Sequence, residues 1–100
     1  MNPPEPDFEV SISGATRELL IRLHGEATAN GLRAEFLAAL RTISERLRHE
    51  PVTFGEELFD LRALQLNVKI GIILPLAVEF GVYQQRRIVF VRSFRYIPPA

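Results

Sequence analysis

One hundred residues, 47% hydrophobic and 24% charged, with twelve bases balanced by twelve acids, describe one ordinary domain with enough chain for a single core. A net charge of zero gives no bulk electrostatic pull toward nucleic acid, and the absence of cysteine excludes disulfide staples, thiol catalysis and cysteine-ligated metals. No apolar run approaches the roughly 18 residues of a membrane span, and no basic segment leads into an apolar one as in a signal peptide, so the cytoplasm is the expected compartment. Charge is distributed unevenly. Four arginines and no acid lie from Arg86 onward, whereas Met1 to Glu9 holds three acids and no base.

In chain order, residues 1–7 contain three prolines and two acids, a disordered lead-in by composition to one domain over residues 8–97. Phe8 to Ile12 alternates and reads as a short first strand. Ser13 is placed to cap a helix with its hydroxyl, and Leu19, Leu20, Leu23 and Ala27 fall at helical spacing as far as about Ala29. Asn30-Gly31 stops that helix, because both residues tolerate left-handed angles. A second helix is predicted from about Leu32 to His49, with Phe36, Leu37, Leu40, Ile43 and Leu47 on its apolar side. Pro51 pushes its neighbour away from helical angles and ends it. The link between the two is short, so they form an antiparallel hairpin. Val52 to Asp60 reads as a loop that touches the sheet through Phe54 and Phe59.

From Leu61 the period changes to two. Leu64, Leu66, Val68, Ile70 and Ile72 make one row, and Leu76, Val78, Phe80 and Val82 make a second. Ile88 to Val91 is apolar on both faces, as in a well-covered strand. Three strands with short connections form an antiparallel meander. The expected fold is therefore α+β: a helical hairpin packed on the greasy face of a mainly antiparallel four-stranded sheet, in the order β-α-α-β-β-β.

Few residues suggest chemistry. His24 and His49 lie on separate helices, with no ligand spacing that would hold a metal. Glu56-Glu57 reads as a solvated turn. Glycines form no phosphate cradle, and no serine sits in a nucleophile elbow. Lys69 and Glu79 are read as a cross-strand ion pair. The basic end is left: Arg92, Arg95 and Tyr96, with Arg62 before the second strand. Paired arginine donors suit phosphate, and a tyrosine stacks on a base or holds a proton in transfer; the same residues also read as a solvated strand end with a tyrosine closing the core. The run Ile70 to Leu76 must contain a turn, yet it is apolar. Ile72, Ile73 and Leu74 there are either folded onto the core or shown to a partner.

The element order, the length and the final Arg87-Ile88-Val89-Phe90-Val91-Arg92-Ser93-Phe94-Arg95 together resemble the RelE/ParE superfamily of small bacterial toxins, HigB-like members included. The likeness spans Phe8 to about Ile97. It implies the toxin of a type II toxin–antitoxin pair. In RelE-like members that toxin is a metal-free endoribonuclease cutting messenger RNA at the ribosome; in ParE-like members the target is DNA gyrase. No cofactor and no membrane are implied, and a cognate antitoxin holds the toxin silent. Carried over by position, Arg92, Arg95 and Tyr96 become catalytic, and Arg62 and Lys69 RNA-binding. Ile72, Ile73 and Leu74 become the contact for an antitoxin helix or a second copy of the chain. Family members commonly carry an arginine at the start of the third strand. Here that stretch, Pro75 to Phe80, has no base and one acid, Glu79. An acid repels a cleaved phosphate, which supports the alternative: a protein of this fold with no chemistry, a gyrase inhibitor or degenerate toxin that only binds. A further alternative is a small α+β domain unrelated to this superfamily.

Overall fold

A computed structural model describes residues 7–99; apart from Asp7, the predicted lead-in lies outside them. The chain runs β1 (Glu9–Ile12), α1 (Gly14–Ala29), α2 (Arg33–His49), β2 (Glu56–Leu61), β3 (Leu66–Ile73), β4 (Leu76–Tyr83) and β5 (Ile88–Tyr96). Single 3₁₀ turns, Arg62–Leu64 and Gln84–Arg86, join β2 to β3 and β4 to β5. Each closes on a residue in the left-handed region, Gln65 and Arg87, both at φ 54°. Ser13 caps α1, its Oγ accepting from the Thr16 amide at 3.1 Å, which satisfies one of the helix's orphan donors. Glu35 in the first turn of α2 and Arg46, Arg48 and His49 in its last turn match the sign of the helix dipole.

The protein is α+β, two helices on a mixed five-stranded sheet in the order β1-β5-β4-β3-β2. β1 runs parallel to β5 and the other pairs are antiparallel. The fifth strand, β2, corrects the four-strand expectation, since all of it but Leu61 lies within the segment read as a loop. Its period is broken by a bulge between Glu57 and Phe59, and all six of its residues are exposed. A bulged, charged edge strand shows no alternation to read.

β4 decides which face meets the helices. Leu76, Val78, Phe80 and Val82 are buried against Leu23, Ala27, Phe36, Ile43 and Leu47 of the hairpin. The two-residue turn at Leu74-Pro75 then locks β3 in register, with Ile70 opposite Glu79 and Ile72 opposite Ala77. Directly opposite residues share a face. The apolar row Leu66, Val68, Ile70 and Ile72 therefore lies on the outer face, away from the helices, and Asn67, Lys69, Gly71 and Ile73 lie on the helix side. This reverses the expected packing of the hairpin on that row. It also corrects the Lys69–Glu79 ion pair, because the two side chains sit on opposite faces.

β5 changes phase midway. Glu79 pairs with Ser93 but Phe80 pairs with Val91, so Arg92 is the extra residue of a bulge. Val89 and Val91 before it and Phe94 and Tyr96 after it all enter the core.

Candidate partner-binding face

The five residues singled out for RNA chemistry lie in three places. Arg62 and Lys69 come together at a polar cleft of about 370 Å³ on the helix side, with Asp60, Gln65, Asn67 and Gln84. Arg92 and Arg95 share the outer face. Tyr96 lies on the inner face, buried, and its hydroxyl accepts a hydrogen bond from Asn30 Nδ2 at 3.1 Å. The bulge separates them: in an unbroken strand Arg92 and Tyr96, four apart, would point the same way.

Arg62, Arg92 and Lys69 are each engaged. Arg62 Nε lies 3.4 Å from Asp60 Oδ2. Arg92 Nη1 lies 3.8 Å from Glu79 Oε1, and its guanidinium sits 5.9 Å from the centre of the Phe59 ring. Lys69 is buried and its Nζ donates to the carbonyls of Pro51, at 3.2 Å, and Val52. It ties the segment after α2 to the sheet.

Burial strips water from the Lys69 ammonium and pushes its pKa below the ordinary lysine value of 10.5; Glu57, opposite on β2, offsets part of this. A base with a lowered folded pKa loses its proton in the native state before the unfolded chain does. Stability therefore rises with pH from that lowered value up to about 10.5, and below it the burial cost is carried in full. Lys69→Met removes this dependence and leaves two carbonyls without their donor. At neutral pH the variant is expected to lose about 1–2 kcal/mol. The gap between wild type and variant widens as pH is raised into the alkaline window. Urea unfolding of both proteins at stepped pH checks this; a gap independent of pH would show that Lys69 bears no burial cost.

The outer face is where apolar surface meets solvent. Phe59 and Phe90 are 44% and 43% exposed, Ile72 55% and Leu74 68%, with Leu58, Leu61 and Leu64 exposed beside them. Ile73, by contrast, packs partly buried against the core. Of the three turn residues read as a partner contact, Ile72 and Leu74 are thus presented and Ile73 is withdrawn. The register arranges the face in rows. One runs Phe59, Val68, Gly81, Phe90 across β2, β3, β4 and β5; the next is Glu56, Ile70, Glu79, Ser93. Val68, in the middle, is fully buried beneath the Phe59–Arg92 contact. A hollow of about 450 Å³ between Leu64, Leu66, Tyr83, Ile88 and Phe90, with Arg86 at its rim, occupies one end. A smaller one of about 210 Å³, with Leu58, Ile70, Ala77, Glu79 and Arg95, occupies the other.

Periodicity missed this face because it assigned each apolar row to the core. Counting layers finds it. Two helices of about 10 Å width cover one side of a sheet, so a sheet apolar on both sides must leave one side bare.

The fold and this face define a two-layer α+β domain with an unpartnered apolar sheet surface. No protein-family model, no curated protein and no solved structure matches the chain. Among the described residues no group of three or more His, Asp or Glu side chains comes together to hold a metal, and no helix is long and apolar enough to cross a membrane.

Proposed function

We propose that this chain is a non-catalytic protein-binding domain, RelE/ParE-like in its order of elements, that works by docking a protein on the outer face of its sheet. The carrying observation is the set of exposed Leu58, Phe59, Leu61, Ile72 and Phe90 on β2, β3 and β5. Contiguous apolar surface of this kind marks an interaction site. The resemblance supports the same reading, since proteins of that superfamily are held by antitoxins. Three of the groups that RNA cleavage needs at one point are engaged elsewhere: Lys69 by backbone carbonyls, Arg92 by Glu79, Tyr96 by Asn30.

Two measurements test this. On induction of the chain alone in a bacterial host, messenger RNA is expected to stay intact; cleaved messages would establish a ribonuclease. A photo-crosslinking phenylalanine analogue in place of Phe90 is expected to give a protein adduct in cells that carry the native partners, and one in place of exposed Arg22 on α1 to give none. No adduct at position 90 would sink the docking reading.

A second reading rests on Arg92 lying beside Phe59, with Phe90 and Arg95 on the same outer face. Aromatic faces stack bases and arginines meet phosphates, as on single-strand RNA platforms. Anisotropy of a labelled single-stranded RNA decides it. RNA-directed function requires binding that weakens with salt and is lost in Phe90→Ala.

A further inference from the structure

We infer that the occupant of the outer face is a second copy of this chain, docked face to face about a two-fold axis parallel to the strands and passing between β3 and β4. The inference rests on the docking reading above and names its partner.

The argument is the match between the two halves of each row. A two-fold axis along the strands lays β2 of one copy over β5 of the other and keeps every residue at its own level along the strand. Phe59 on β2 and Phe90 on β5 lie in the same row, with Ser11 of β1 beyond Phe90, so each Phe59 meets the other copy's Phe90 and β1 overhangs the partner's β2 edge. Both rings are exposed to nearly the same degree, 44% and 43%, and between them Val68 and Gly81 lie buried under the Arg92 and Leu66 side chains, so the rings meet toward the sides of the face and not over its middle. The next row does the same for charge. Glu56 ends it on β2 and Ser93 ends it on β5, so each Glu56 falls beside the other copy's Arg95, two residues along the strand from Ser93. Two symmetric ion pairs result. Within the face Glu79 and Arg92 already pair with each other at 3.8 Å. The roughly 30° offset between packed twisted sheets shifts these edge pairs by a few ångströms, within reach of Phe, Glu and Arg side chains.

Pairing through the β2 edge is disfavoured. Joining two β2 edges would bring Glu56, Glu57 and Asp60 of both copies together, and like charges opposed across strands repel. The area sets the expected strength. Four strands at about 4.8 Å and eight residues at about 3.4 Å give a face of roughly 500 Å² in plan, or about 1,000 Å² for the pair, the low end of specific interfaces. The dimer is therefore one that forms with rising concentration.

Sedimentation velocity from micromolar to sub-millimolar protein tests it. The wild-type mass is expected to double with concentration, and Phe90→Glu to stay monomeric while keeping its circular dichroism. Glu56→Arg and Arg95→Glu each place like charges together twice and are expected to raise the dimer Kd about tenfold or more; combined in one chain they restore the wild-type Kd to within a few-fold. That rescue keeps the test decisive if Phe90→Glu fails to fold. A wild type monomeric throughout, or charge reversals without mutual rescue, overturns the inference. The crosslinker in place of Phe90 separates its failure from that of the docking reading. An adduct of twice the chain mass supports the second copy. An adduct only with another protein overturns the second copy and leaves the docking reading standing. No adduct of either kind overturns both.

Discussion

Phe80→Ala is expected to lower the unfolding free energy by about 3–5 kcal/mol, the usual cost of truncating a buried phenylalanine. Phe80 is fully buried at the centre of β4, which pairs on both sides, so neighbours on two strands and the helices above cannot all move in to fill the void. Its ring also stacks on Phe54, with centroids 5.7 Å apart and planes 13° apart. Removing it takes the support from the segment that Lys69 also holds. For a domain of this size total stability is about 5–15 kcal/mol, and each kcal/mol shifts Tm by roughly 4–8 °C. The variant should thus melt at least about 12 °C below wild type. Calorimetry with urea unfolding checks the figure, and a loss under about 1 kcal/mol would mean that the two layers are not packed as described.

The second large effect comes from adding a single carbon. A Cβ built at Gly71 falls inside contact distance of the Phe54 ring, which is buried and carries the Arg46 guanidinium 4.9 Å from its centre. Alanine normally suits a strand better than glycine. Here Gly71→Ala is expected to cost about 1–3 kcal/mol, because the ring must leave or the strand must bend. The cause is testable through its partner. In a Phe54→Ala background the clash is gone, and Gly71→Ala is expected to be neutral or mildly stabilising. A coupling of about 0.5–3 kcal/mol in the double-mutant cycle assigns the cost to that contact; additive effects would place it elsewhere.

These two sites explain why the outer face stays bare. The helix side of β3 is filled by a glycine under an aromatic ring and a lysine holding carbonyls, which leaves the strand's aliphatic row for the other side. The hairpin needs only one face. The apolar row turned outward is what a partner can use, and the arginines of β5 lie beside it rather than around a reacting phosphate.

Much of the fold was legible in the residues. Ser13, Asn30-Gly31 and Pro51 punctuate the two helices within a residue or so of their ends, because capping and chain stiffness are local properties. The alternation from Leu76 to Val82 reads directly as a strand, since a side chain's direction follows from its place in the pleat. The candidate site was less legible. The run Ile72 to Leu74 stood out because an apolar turn is anomalous on its own terms, but the residues left it open whether that turn folds onto the core or faces a partner. Phe59 and Phe90 did not stand out, as each looks like any core aromatic.

By itself the sequence determined both helices, four of the five strands, their order and the α+β class, all of which follow from short-range sterics and period. Only the tertiary structure decided which face of each strand met the helices, that the segment after Gly55 pairs as an edge strand, and that a bulge at Arg92 turns Tyr96 away from Arg92 and Arg95. Period two makes the faces of a strand equivalent until a neighbour is docked. The choice between them rests on register, on one extra residue in β5, and on how many layers there are to cover the sheet.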